Sequence, residues 1–221
     1  MYFCEKFDFT ADIIKKTITF NTMNATNIAI FASGKGSNAD RLMQYFATKE
    51  EMGIRLVLTN KPDAGVIDFA TKHNIPVAIC SNSAIENGDE VLEILSKHNI
   101  DLIVLAGFLR KIPAKLITSF PDKIINIHPS LLPKHGGKGM YGDFVHQAVL
   151  NATDKKTGIT IHTVDERYDH GKRLAQYEVA LTNDETIDSI RAKVQSLEHS
   201  YFASTIENYI KELTKTKKPL C

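Results

Sequence analysis

Apolar residues along this chain fall into short runs separated by polar segments bearing glycine or proline, and the runs alternate between two periodicities. Residues 27–33 (Asn-Ile-Ala-Ile-Phe-Ala-Ser), 54–60, 76–80 and 101–106 are compact apolar stretches that predict strands. Between them, residues 38–47, 64–73 and 84–97 carry apolar positions at helical spacing, as with Val91, Leu92 and Leu95 on one face. The run 101–106 (Asp-Leu-Ile-Val-Leu-Ala) is apolar almost throughout, which implies burial on both faces, as in a parallel sheet. A short helix over 114–119 and a fifth strand over 124–128 extend the series. A glycine-rich loop (Gly136, Gly137, Gly139, Gly142), a helix over 143–152, a strand over 158–164, a loop over 165–172, a strand over 174–181 and a long helix over 185–213 follow. The expected class is α/β: a doubly wound, mostly parallel sheet with a Rossmann-like N-terminal half.

One strand breaks the apolar pattern. In Ile124-Ile125-Asn126-Ile127-His128-Pro129, two polar residues stand two apart, so on a strand they share one face. Pro129 cannot donate to a ladder, so the strand ends at His128 and presents the imidazole at the carboxyl edge, where open α/β sheets place ligands. Asn126 and His128 are therefore either a site or an amide paired with a core histidine.

The chain has 221 residues, 43% of them hydrophobic and 24% charged, which suits one domain with a buried core. That domain is expected over 27–213. Residues 1–26 read as an N-terminal extension dispensable for activity, because Met23 lies just before the first strand; residues 214–221 read as a polar tail. A net charge of +1 gives no reason to expect nucleic acid or an anionic membrane as partner. Glu5, Asp8 and Asp12 interrupt the opening, which lacks the unbroken apolar core of a secretory signal and the acid-poor composition of a transit peptide, so neither is expected, and no run is long enough to span a bilayer. Cys4, Cys80 and Cys221 match no metal-ligand spacing and read as free thiols of a reducing compartment, so a cytoplasmic protein is expected.

Three further stretches bear chemistry. Ser33-Gly34-Lys35-Gly36-Ser37-Asn38-Ala39 joins the first strand to the first helix, where backbone N–H groups at a helix start cradle phosphate. Its glycines also fit a dinucleotide fingerprint, but the second strand ends in Thr59-Asn60-Lys61 without the carboxylate that would hold a ribose; a turn that only packs is the third reading. His162 and the loop 165–170 bring histidines and carboxylates together, as a metal site or as solvated charge with one carboxylate tuning an imidazole. Gly107 to Pro113, leaving the fourth strand, is either a flat apolar platform for a heterocycle or an ordinary turn.

Together, Ser33 to Asn38, Leu105-Ala106-Gly107-Phe108-Leu109-Arg110, Asn126-Ile127-His128-Pro129-Ser130-Leu131-Leu132-Pro133 and the segment 158–171 resemble, in order and spacing, the folate-dependent formyltransferases, most closely the branch acting on glycinamide ribonucleotide. The resemblance implies formyl transfer from 10-formyltetrahydrofolate to the amine of that ribonucleotide, with small-molecule substrates, no metal, no nucleic acid or membrane partner, and a monomer or homodimer. It implies that Asn126, His128 and Asp169 are catalytic with His162 nearby, and that Gly36, Ser37, Asn38, Gln195 and Glu198 hold the ribonucleotide. It further implies that Leu109, Arg110, Lys111, Ile112, Asn126 and the residues Asp165, Glu166, Arg167, Tyr168 and Asp169 bind the folate. Two departures are Lys172, where the family commonly has proline, and the glycine-rich, basic loop after Pro133. The alternatives are a formyltransferase for another amine, such as methionyl-tRNA or a sugar nucleotide, a formyltetrahydrofolate hydrolase, or a nucleotide-binding module without chemistry.

Overall fold

The computed structural model describes residues 25–216. All but the last two residues of the expected N-terminal extension, residues 217–221 of the expected tail, and Cys4 and Cys221 lie outside the described residues. The strands are β1 (Thr26–Phe31), β2 (Met52–Thr59), β3 (Val77–Ile79), β4 (Leu102–Leu105), β5 (Ile124–His128), β6 (Lys156–Thr163) and β7 (Arg173–Ala180). The helices are α1 (Ser37–Phe46), α2 (Val66–Lys72), α3 (Asn82–Asn87), α4 (Asp89–Lys97), α5 (Ala114–Ser119), α6 (Asp143–Asn151) and α7 (Ile187–Thr216). They build one seven-stranded sheet in the order β3-β2-β1-β4-β5-β6-β7, with β1 to β5 mutually parallel, β6 antiparallel to β5 and β7 antiparallel to β6.

The period of two divides the interior into two cores. On β1, Ile28 and Ile30 join the core beneath α1, α2, α6 and α7, whereas Ala29 and Phe31 join the core beneath α3, α4 and α5. Burying one such large side chain contributes about 1.5–3 kcal/mol, so both layers of helices are held by the same strand. On β5, Ile125 and Ile127 face the α7 side, which leaves Ile124, Asn126 and His128 on the other. A slip of one residue would drive Asn126 and His128 into the α7 core; burial therefore fixes the register that presents them. The chain winds from β1 outward to β3, then crosses back to β4, so the carboxyl ends of β1 and β4 flank a switch point where ligands bind.

Two expectations need correction. The single helix expected over 84–97 is two, because Gly88 takes a left-handed φ of 86° that ends α3 and starts α4. The last helix begins at Ile187 rather than 185 and runs to Thr216, three residues into the expected tail.

Candidate active site

At the carboxyl edge of β5 the antiparallel register sets Asn126 opposite His162 and His128 opposite Thr160. His162 is 2% exposed, and its Nδ1 lies 2.7 Å from the Thr163 carbonyl, an acceptor only, so Nδ1 carries the proton. Its Nε2 is then a lone pair, and Asn126 Nδ2 approaches it at 3.2 Å as donor. Burial, above all other causes, pushes the His162 imidazole below its ordinary value and keeps it neutral in that role. One N–H of the Asn126 amide is thus committed to His162, and the carboxamide plane is fixed with its second N–H free.

His128, 3% exposed, donates from Nε2 to the His135 carbonyl at 2.8 Å and turns Nδ1 toward Asp169 Oδ1 at 3.6 Å. The same oxygen is 3.7 Å from His162 Nε2, while Asp169 Oδ2 accepts the Gly137 N–H at 2.8 Å. A separation of 3.6 Å exceeds a direct hydrogen bond, so the two groups face each other at near van der Waals contact. Asp169, with φ 57°, sits on a left-handed turn that separates it from Asp165 and Glu166. Asp165 spends its Oδ1 on the Arg167 N–H at 2.8 Å, so the three carboxylates have distinct surroundings.

The turn after β5 is tied down by side chains that the sequence did not single out. Thr160 Oγ1 donates to the Ser130 carbonyl at 2.7 Å and accepts the Leu132 N–H at 3.0 Å, and Gln176 Nε2 donates to the Leu132 carbonyl at 2.8 Å. Lys172 donates its N–H to Thr163 Oγ1 at 3.1 Å, a bond that proline at this position could not make. A Cβ on the neighbouring Gly171 would lie 1.6 Å from the Thr163 carbonyl oxygen, so only glycine fits there.

At the other end of the cleft, α1 starts beside α7. Gln195 Nε2 donates to Ser37 Oγ at 3.3 Å and Asn38 Nδ2 to Glu198 Oε2 at 2.9 Å, while Asn38 Oδ1 is buried without a partner. Burial pushes the Glu198 carboxyl above its ordinary range, against the smaller opposing effect of the Asn38 bond. Gly36, with φ 84°, packs against α2: a Cβ there would lie 2.7 Å from Val66 Cα. Its glycine is required by helix packing, whatever the turn binds. Ser33, at the end of β1, donates to Asn60 Oδ1 at 2.6 Å and accepts the Leu109 N–H at 3.1 Å, joining the ends of β1, β2 and β4.

A cleft of ≈ 370 Å³ connects these parts. Asn126, His128, His162 and Asp169 line its middle; Asn38, Gln195 and Glu198 line one end. Leu109, Arg110, Lys111 and Ile112 with Asp165, Glu166, Arg167 and Tyr168 line the rest, where Leu109 and Tyr168 are exposed and Lys111 Nζ stands 5.8 Å above the Tyr168 ring. Gly36 and Ser37 are not among the lining residues. The sequence missed Arg191 and Val194, which precede Gln195 and Glu198 at helical spacing, and His146, four residues beyond Gly142; that spacing was the available signal. The glycine-rich loop enters the lining through Gly137, Gly139, Met140, Tyr141 and Gly142. Among the described residues no group of three or more His, Cys, Asp or Glu is arranged to hold a metal ion, and no helix is long and apolar enough to cross a membrane. Cys80 is free and buried, and burial pushes its thiol up to about 11. The arrangement places hydrogen-bonding amide and imidazole groups side by side, with a carboxylate adjacent.

Comparison with known proteins gives a consistent result. Residues 26–206 match the family described as "Formyl transferase". The phosphoribosylglycinamide formyltransferase of Arabidopsis thaliana, a chloroplastic protein, is 36% identical over 197 residues, covering 86% of this chain and 68% of that one. The Bacillus subtilis phosphoribosylglycinamide formyltransferase is 35% identical over 187 residues, covering 82% of this chain and 93% of its own. The crystal structure of the corresponding protein from Bacillus halodurans superposes with a TM-score of 0.76 at 33% identity, covering 84% of this chain and 95% of that chain.

Proposed function

The chain belongs to the formyl transferase family, and from that premise we infer that it moves a formyl group from 10-formyltetrahydrofolate to the amine of glycinamide ribonucleotide, a step of purine synthesis carried out in the cytoplasm. The observation that carries this reading is a single cleft lined by Asn126, His128 and Asp169, by Asn38, Gln195 and Glu198, and by the apolar, loop-borne residues around Leu109 and Tyr168. The ribonucleotide phosphate meets the N–H groups at the start of α1, and Gln195 and Glu198 meet the same substrate. The flat pterin lies along Leu109 to Ile112 and the 165–169 loop.

When the amine attacks the formyl carbon, negative charge grows on the formyl oxygen, and donors fixed beforehand stabilise the transition state more than the ground state. The free N–H of Asn126 is one donor, its direction set by the lone pair of His162. His128 is the other: with Nε2–H held by the His135 carbonyl, the ring turns Nδ1 toward Asp169, and in its imidazolium form it offers a second N–H on that side. Asp169 accepts the proton released by the amine and passes it to the departing folate nitrogen as the C–N bond breaks.

Incubating the full chain with 10-formyltetrahydrofolate and glycinamide ribonucleotide, with the products identified by mass, tests the reading. The expected outcome is the N-formyl ribonucleotide and tetrahydrofolate in equal amounts. Formate release without a formylated ribonucleotide would assign hydrolysis instead, and turnover only with another amine would move the acceptor.

A further inference from the structure

The carboxylate of Asp154 lies in the turn between α6 and β6, outside the cleft lining, yet it grips the loop that touches the reacting group. Asp154 Oδ2 pairs with His135 Nε2 at 2.8 Å and its Oδ1 with Lys134 Nζ, while the Lys134 carbonyl accepts Ser130 Oγ at 2.7 Å. The Lys134 ammonium, and to a smaller extent His135, hold the Asp154 carboxyl below the ordinary carboxylate range. The next backbone groups of the same loop are those that meet the centre: the His135 carbonyl accepts the Nε2–H of His128, and the Gly137 N–H donates to Asp169 Oδ2. His135 itself has φ 53°, a left-handed conformation that a non-glycine residue holds only when its surroundings enforce it.

We propose that Asp154 is a positioning residue: by clamping the Lys134 and His135 side chains it sets the loop so that the His135 carbonyl fixes the proton of His128 on Nε2 and Gly137 orients Asp169. The carbonyl belongs to the backbone, so the side chain of His135 serves only as the handle by which Asp154 holds it. This rests on the roles inferred above for His128 and Asp169. Outer partners of this kind act by geometry, where a displacement near 1 Å costs up to about a hundredfold in rate.

The test is a set of full-length variants assayed for formyl transfer. Asp154→Ala and His135→Ala lower kcat about tenfold, with KM for the ribonucleotide changed less than about twofold, and the double variant falls no further than either single one because both cut the same link. His135→Gln, which retains a side-chain N–H for Asp154, restores most of the loss. In Asp154→Ala the Gly137 amide exchanges faster with solvent. Unchanged kcat in Asp154→Ala with a lowered Tm reduces the clamp to a stabilising contact and overturns the proposal, as does a His135→Gln variant no better than His135→Ala. Should Asp154→Ala fail to fold, the two His135 variants decide by themselves. His128→Ala is run beside them: if it keeps turnover, the reading of His128 fails, whereas if it loses turnover and Asp154→Ala does not, only the clamp fails.

Discussion

The two ends of the cleft are built differently. At the α1 end the contacts are side chain to side chain between helices about 160 residues apart, as in Asn38 with Glu198 and Ser37 with Gln195. At the β5 end, Asn126 is set by a histidine whose other nitrogen is tied to backbone, and His128 and Asp169 are met by the backbone of a loop. Backbone partners survive substitution of the residues that carry them; side-chain partners do not. The β5 end should therefore be sensitive to changes in the reacting side chains and in whatever holds the loop, and the α1 end to changes in any one of its four side chains.

The largest effects are expected at β5. Asn126→Ala and His128→Ala each remove one donor fixed before reaction, a loss that typically costs about a hundredfold to a thousandfold in turnover. Steady-state kinetics should show kcat falling by that order in both, with KM for the ribonucleotide nearly unchanged. His162→Ala should lower kcat less, because it frees the Asn126 amide to rotate without removing it. Equal losses in kcat and in ribonucleotide affinity would erase the division between the two ends.

Next in size is the α1 end. Asn38→Ala removes a donor to the half-buried Glu198 carboxyl and a second polar atom that is buried without a partner, so KM for the ribonucleotide should rise by roughly tenfold with KM for the folate unaffected. Ser37→Ala should raise it by a smaller factor. Gly36 is a poor probe of the phosphate site, because any side chain there meets Val66 and disturbs the packing of α1 on α2 whether or not phosphate binds.

The same contrast explains what could be read from the sequence. Strand alternation is local, so the shared face of Asn126 and His128 and the break at Pro129 were legible, as was most of the element order. Opposition of Asn126 and His162 depends on a pairing across 36 residues, and no local pattern states it. The choice of Asp169 over Asp165 and Glu166 came from resemblance; the left-handed turn at Asp169 and the Asx contact of Asp165, which set the two carboxylates apart, have no local sequence pattern. Gln195 and Glu198 likewise came from resemblance, since their partners lie on α1. Asp154 went unnoticed because its partner, His135, belongs to a loop whose glycines carry no periodicity. The break of the helix at Gly88 was present in the sequence as a glycine between two good helix starts, and was passed over because apolar spacing continues across it.

The smallest expected effect concerns stability and again separates the two ends. Burial is the first cause of both shifts, yet it raises the proton affinity of the acid at one end, Glu198, and lowers that of the base at the other, His162. For Glu198 the folded value exceeds the unfolded one, so the stability it contributes is complete below the ordinary carboxylate value of 4.5 and is lost as pH rises through the folded value. For His162 the folded value is below the unfolded one, so its contribution is present above the ordinary imidazole value of 6.5 and is lost as pH falls through the folded value. Urea unfolding across pH should show the difference between Glu198→Gln and the unmodified protein changing only on the rising side of pH 4.5, and that between His162→Gln and the unmodified protein only on the falling side of pH 6.5. Because each difference is taken against the same protein, the many surface groups that titrate in both cancel. Glutamine also mimics the uncharged form of Glu198, so Glu198→Gln should retain more ribonucleotide affinity than Glu198→Ala. Differences that are flat with pH, or that slope on the same side for both variants, would show that the cleft does not bury these groups in their neutral forms.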